Sequence, residues 1–187
     1  AIKQCLVGSE MCIRDRTVIL LDKRAKRNAL EIESSEPILK INNIGEVEAI
    51  NLSRRMFAHQ MIEEAMIAAN ICAIRFVKSS LEISINRFHD KPDADKLLAL
   101  FEKFQSIGLK RSDDPIILLQ RCIEIAKRSE NATSLQSLIL QGLPRAIYSS
   151  KKSGHFGLQL KEYSHFTSPI RRYPDLIIHR LIKSILK

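Results

Sequence analysis

Hydrophobic positions along the 187-residue chain change period several times, and those changes mark out the elements. Across 28–50 the period is two: Leu30 and Ile32, then Ile38, Leu39 and Ile41, a turn at Asn42-Asn43-Ile44-Gly45, then Val47 and Ile50. Alternation broken by Asn and Gly predicts a strand pair closed by a tight turn. Over 56–77 the spacing lengthens to three and four, which predicts a helix with Ile62, Ala65, Met66, Ala69, Ala73 and Phe76 on its core face. A short strand over 83–88 leads into His89-Asp90-Lys91-Pro92. Pro92, Asp93 and Asp95 open a further helix, with Leu97, Leu98, Phe101 and Phe104 inward and Gly108 as its stop. Asp113-Asp114-Pro115 begins the next, with Ile116, Leu119, Ile123 and Ala126 inward. Adjacent aspartates just before an apolar period read as caps that accept first-turn N–H groups, in preference to metal ligands. A helix over 135–142, a strand over 154–160, a polar loop and a last helix from Asp175 complete the pattern. Helices separated by short strands, without a repeat, predict an α+β domain in which helices pack on short mixed or antiparallel strands.

Residues 1–16 show no sustained periodicity, and the string CLVGSEMCIRDR at 5–16 resembles a translated sequencing adapter. We therefore expect 1–16 to be non-homologous and unpacked, and the domain to lie over 17–187. The chain starts at Ala1 and stops at Lys187 inside an amphipathic pattern, so it reads as a piece truncated at both ends.

Charge narrows the class of partner. Thirty Lys and Arg against 21 Asp and Glu give a formal charge of +9, which suits a polyanion such as nucleic acid but does not by itself exclude other basic proteins. Cys5, Cys12, Cys72 and Cys122 have no C-x-x-C spacing, so neither a zinc site nor a disulfide framework or disulfide-linked partner is expected. No apolar run approaches the ~18 residues that span a bilayer, and no leader pattern opens the chain. A cytoplasmic monomer with no membrane partner is the expectation.

Candidate chemistry concentrates in 154–187. Ser168-Pro169 has the grammar of a helix cap followed by proline, and Pro174 restarts the helix at Asp175. Arg171 and Arg172 then sit among helix N-termini, where guanidinium and free N–H groups both favour an anion; a plain solvated turn is the equal alternative. Phe156, Tyr163, Phe166 and Tyr173 flank these cations, as single-stranded RNA binding requires, although Phe156 in an alternating strand suits a core position. His155, His165 and His179 lack metal-ligand spacing, and His179 reads as structural. On the 56–77 helix, His59, Glu63 and Asn70 share one stripe beside an apolar surface, which makes Glu63 a candidate site residue. Glu64, rotated about 100° away toward Arg75, suits a solvated role.

The run HFTSPIRRYPDLIIHRLIK at 165–183, IEEAMIAANICAIRFV at 62–77, HDKP at 89–92 and GHFGLQL at 154–160 together resemble the ribonuclease R branch of the ribonuclease II family, in the family's order. The resemblance implies the C-terminal part of an RNB-type catalytic domain. It implies hydrolysis of single-stranded RNA from the 3′ end to nucleoside 5′-monophosphates, with magnesium assisting attack by water. Arg171 would stabilise charge developing at the scissile phosphate, and Glu63 would contact the ribose through its 2′-hydroxyl. Thr167, Ser168 and Pro169 would shape the turn that presents Arg171, with Arg172 and Tyr173 beside it in the substrate-binding set. The family's metal-binding aspartates and a tyrosine of the cleavage site would lie upstream of Thr17, leaving no metal ligand in this chain. Where the family tends to carry a base-clamping phenylalanine stands Ile32, which has no aromatic face. The second reading is a non-catalytic basic module that holds RNA or a protein without cutting.

Overall fold

The computed structural model describes residues 2–32, 37–52 and 55–187. Strand β1 (Pro37–Ile41) pairs antiparallel with β2 (Val47–Leu52), as the alternation predicts. The turn is held by Asn42, whose side-chain Oδ1 accepts the N–H groups of Ile44 at 3.0 Å and Glu46 at 2.9 Å. Leu30 and Ile32 belong to no strand; both pack into the helical core described next, so Ile32 is occupied as a packing residue.

That core is built by α3 (Ala94–Gln105), α4 (Pro115–Arg128) and α5 (Ala132–Gly142), with Phe104, Leu119, Cys122, Ala126 and Ile139 fully enclosed. The Asp114 carboxylate accepts the Ile116 N–H at 2.8 Å, so it is a helix cap. Gly108, at φ +94°, ends α3 while the Leu109 N–H returns to the Phe104 carbonyl at 3.1 Å. Leu98 departs from its expected inward place and is 51% exposed, because Leu100 takes the buried position next to Phe104.

A second, smaller core joins α2 (Phe57–Ser80) to α6 (Tyr173–Ile185) through Ala73, Ile74, Val77 and Ile178. The buried stripe of α2 is Glu64, Ile67, Asn70, Ala73, Ile74 and Val77. This is rotated from the predicted apolar face: Ile62, Ala65 and Phe76 are exposed, and only Ala73 is common to both sets. The reason is that the apolar positions of α2 cover most of its circumference, so period alone leaves the rotation open.

Helix α1 (Ile2–Lys26) runs without interruption through the segment expected to be irregular. Its side chains at 12–16 are exposed, and Thr17 and Arg24 are its buried positions among the described side chains. Extending a helix from a packed half is far easier than nucleating one, which accounts for a helix without an amphipathic period. Strand β3 (Asn86–Phe88) is shorter than the expected 83–88 and pairs antiparallel with β4 (Ile147–Ser149), a strand that three residues of sequence do not reveal.

The segment 154–160 is a turn and not a strand, with His155 and Leu160 exchanging both backbone hydrogen bonds at 2.8 and 3.2 Å. It packs directly on His89. The Gly157 N–H donates to His89 Nδ1 at 3.0 Å, and a Cβ on Gly157 would lie 3.2 Å from that nitrogen, closer than ordinary packing permits. The architecture is thus α+β, with helices around two small antiparallel pairs among the described residues.

Candidate nucleic-acid-facing cleft and arginine turn

The rotation of α2 decides what faces solvent. With Glu64, Ile67 and Asn70 turned inward, His59, Ile62, Glu63 and Met66 line a cleft of about 470 Å³ shared with Leu158, Tyr163, His165 and Arg172. The stripe His59, Glu63, Asn70 read from the sequence does lie along it. His59 also closes the start of α2, its Nδ1 accepting the Met56 N–H at 3.1 Å. Asn70 is buried and satisfied: its Nδ2 donates to the Tyr163 hydroxyl at 3.0 Å and its Oδ1 accepts the Phe166 N–H at 2.8 Å. It fixes the loop 163–166 against the helix. Phe166 stacks on His179 with ring centroids 4.2 Å apart, and His179 Nε2 donates to the Phe166 carbonyl at 3.0 Å, so His179 is structural.

The turn that follows is organised by one carboxylate. Asp175, fully buried, accepts through Oδ2 from the Ser168 N–H at 2.8 Å and from Arg172 Nη2 at 2.8 Å and Nε at 3.1 Å. The Arg172 N–H donates to the Ser168 carbonyl at 3.1 Å, closing a single non-helical turn over Pro169, Ile170 and Arg171. Ser168-Pro169 therefore does not start a helix: α6 begins at Tyr173 with Pro174 in its first turn. Proline's fixed φ suits that place, where its missing N–H costs no helical bond. Ile170 and Tyr173 (65%) are exposed, and Thr167 Oγ1 is buried without a hydrogen-bond partner among the described residues.

The two arginines separate at this point. Arg172 is tied to Asp175 and lines the cleft. Arg171 is exposed, with no hydrogen bond or ion pair among the described residues. Both charges reach His165: burial first, then Arg172, with Arg87 and Arg171 adding to it, pushes its imidazole down to about 4. The Tyr148 hydroxyl lies 2.8 Å from His165 Nδ1.

Glu63 sits in an ion-pair cluster. Arg24 Nη1 donates at 2.8 Å both to Glu63 Oε1 and to Glu64 Oε1, while Arg55 pairs with Glu63 Oε2 and, at 2.7 Å, with Glu31. Burial opposes ionisation of Glu63, but the two guanidinium groups outweigh it and hold its carboxyl below the usual range. Glu64 corrects the solvated reading, being 2% exposed and salt-bridged to Arg24. A helical wheel gives its angle on α2 but not that α1 covers that sector. Arg24, Arg55 and the acceptor role of Asp175 had no periodic signal in the sequence.

A second hollow, of about 390 Å³, opens over His89 and His155. His89 Nδ1 accepts from Gly157, which leaves Nε2 to donate to the Pro144 carbonyl at 2.9 Å, and His155 Nδ1 accepts the Leu158 N–H at 3.2 Å. Its imidazoles are therefore packing elements. Burial first, with its neighbours His89 and Arg87 adding to it, pushes His155 down to about 3. Because both His155 and His165 lie below the ordinary value of about 6.5, the unfolded chain binds more protons than the folded one between 6.5 and those values. Stability is then complete above about pH 6.5 and is lost as pH falls. We expect the thermal midpoint to decline steadily from pH 7 to pH 5; a flat profile across that window would show that both rings protonate in place.

Among the described residues, no group of three or more His, Cys, Asp or Glu converges where a metal ion would sit. No helix among them is long and apolar enough to cross a membrane. The chain is 40% identical over 172 residues to Ribonuclease R of Escherichia coli (strain K12), covering 89% of this chain and 21% of that protein. It thus spans about a fifth of that relative's length. Mycoplasma genitalium RNase R, solved with ribose-methylated single-stranded RNA, superposes with a TM-score of 0.83 at 25% identity, over 96% of this chain and 29% of that one. Yeast Ssd1, a pseudonuclease, superposes with a TM-score of 0.59 at 25% identity, over 71% of this chain and 17% of that one. The RNB domain model matches residues 12–187, motifs, cleft and arginine turn included, and the chain belongs to the RNB domain family.

Proposed function

We propose that this chain supplies the substrate-facing helix and the arginine turn of a cytoplasmic 3′-to-5′ exoribonuclease that hydrolyses single-stranded RNA to nucleoside 5′-monophosphates. The observation that carries the reading is an exposed Arg171, unpaired among the described residues, on a turn braced by Asp175 beside a cleft bearing an ionised Glu63. A cation left unpaired on a fixed turn is available to a phosphate, whereas Arg172 is already neutralised. In this reading Arg171 stabilises the charge that develops on the scissile phosphate, and Glu63 accepts a hydrogen bond from the 2′-hydroxyl. Thr167, Ser168 and Pro169 set the shape of the turn, Arg172 forms the wall behind it, and the exposed ring of Tyr173 offers a face on which a base stacks. The RNA bound by Mycoplasma genitalium RNase R supports the choice of partner.

Magnesium would assist attack by water. This reading places its ligands in other parts of the longer protein. The test is an end-labelled single-stranded RNA incubated with magnesium and either the full-length protein or the 187-residue chain. Stepwise release of nucleoside 5′-monophosphates by the full-length protein and none by the chain alone is the expected outcome. Release by the purified chain would refute this division of labour.

A second reading is a module that binds RNA without cutting it, favoured by the likeness to the pseudonuclease Ssd1. In the same assay it gives retention of RNA by the full-length protein with no product.

A further inference from the structure

Glu63 carries its carboxylate at the end of a flexible side chain, 39% exposed, yet a hydroxyl acceptor that discriminates between sugars must hold one geometry. The ion-pair cluster supplies it. Arg24 is 8% exposed, and a single nitrogen of its guanidinium donates one N–H to Glu63 and the other to Glu64. Glu64 lies in the buried stripe of α2, where an ionised group is stable only with a partner. Arg24 is therefore pinned from beneath by a carboxylate that cannot leave, and it carries that rigidity to Glu63. The end of α1 is fixed as well: Arg27 Nε donates at 2.9 Å to the carbonyl of Leu158, itself part of the cleft wall.

The charge balance points the same way. Arg24 and Arg55 pair with Glu31, Glu63 and Glu64, and Arg27 lies close enough to interact with Glu64, so three guanidinium groups balance three carboxylates and the cluster is close to neutral. Such a spot offers no net charge to a phosphate and still accepts a neutral donor. Each Glu63 oxygen still has a lone pair free after its arginine, and an ionised carboxylate can only accept. A ribose 2′-hydroxyl meets both conditions; deoxyribose offers no donor there.

We infer that Arg24, anchored by buried Glu64, is a positioning residue for sugar discrimination, fixing the Glu63 carboxylate in the place where it accepts the 2′-hydroxyl. The inference rests on the proposed role of Glu63, and the experiment separates the two.

In the full-length protein, kcat/KM is measured on an RNA oligomer and on the same oligomer with 2′-deoxynucleotides at its 3′ end, and the ratio defines discrimination. Glu63→Gln is expected to lower that ratio about tenfold or more, the size of one charge-assisted hydrogen bond. Arg24→Lys keeps the charge but ends one atom short of the Nη1 position that touches both carboxylates, and should lower the ratio by a similar factor. In the Glu63→Gln background, Arg24→Lys should produce no further loss of discrimination, because it acts only through Glu63. If Arg24→Lys does not fold, Glu64→Gln, which removes the anchor's charge, is read in the same cycle. Equal rate losses on both oligomers, or losses that add to those of Glu63→Gln, would overturn the positioning role and leave the Glu63 reading standing. An unchanged ratio in Glu63→Gln would overturn the Glu63 reading, and the inference with it.

Discussion

Replacing Arg171 by alanine in the full-length protein is expected to lower the turnover rate roughly a hundred- to a thousandfold, about 3 to 4 kcal/mol, the loss typical of one preorganised donor to a transition-state charge. RNA affinity should change much less, since many cations share attachment along a polyanionic strand and this chain alone carries a formal charge of +9. Arg171→Lys should recover part of the rate, because a point charge cannot reproduce the guanidinium fork. Arg171 is exposed and has no hydrogen bond or ion pair among the described residues, so its loss should leave the thermal midpoint nearly unchanged. Single-turnover kinetics, binding isotherms and thermal unfolding on the same preparations check all of this. A modest loss confined to binding, and abolished at high salt, would reduce Arg171 to one cation of a basic surface.

The second large effect is on stability. Asp175→Ala removes the acceptor of three hydrogen bonds and leaves the Ser168 N–H and the Arg172 guanidinium without their partner. We expect a loss of about 3 kcal/mol, the lower end for breaking a buried ion pair. For a chain of this size, that lowers the thermal midpoint by about 10 °C. Arg172→Ala should also destabilise, because it strands a carboxylate that is fully buried. The contrast between neighbours is the informative part: Arg171 is expected to matter for rate and Arg172 for the integrity of the turn. Thermal unfolding of Asp175→Ala within 2 °C of the unsubstituted chain would show that the turn stands without its brace.

Sequence pattern alone was enough for the elements whose cause is local. The hairpin of β1 and β2 follows from alternation and an Asn/Gly turn, and α4 from Asp114 before Pro115 with Ile116, Leu119, Ile123 and Ala126 on one face. The stop of α3 at Gly108 needs only a residue that tolerates positive φ. The stripe His59, Glu63, Asn70 was legible as a stripe, and the resemblance in 165–183 pointed to the arginine turn. Tertiary structure decided the rest, and in each case the reason is a partner distant in sequence. Period could not say which sector of α2 is buried, because apolar residues cover most of its surface; Arg24 of α1 and the loop 163–166 chose Glu64 and Asn70 over Ala65 and Phe76. The segment 154–160 alternates like a strand but closes on itself, His155 bonding Leu160, while its outward hydrogen bonds go to Leu30 and to His89 just past β3. Arg171 and Arg172 are identical in sequence chemistry. Only the buried carboxylate of Asp175, one turn further on, ties down one of them and leaves the other exposed to solvent.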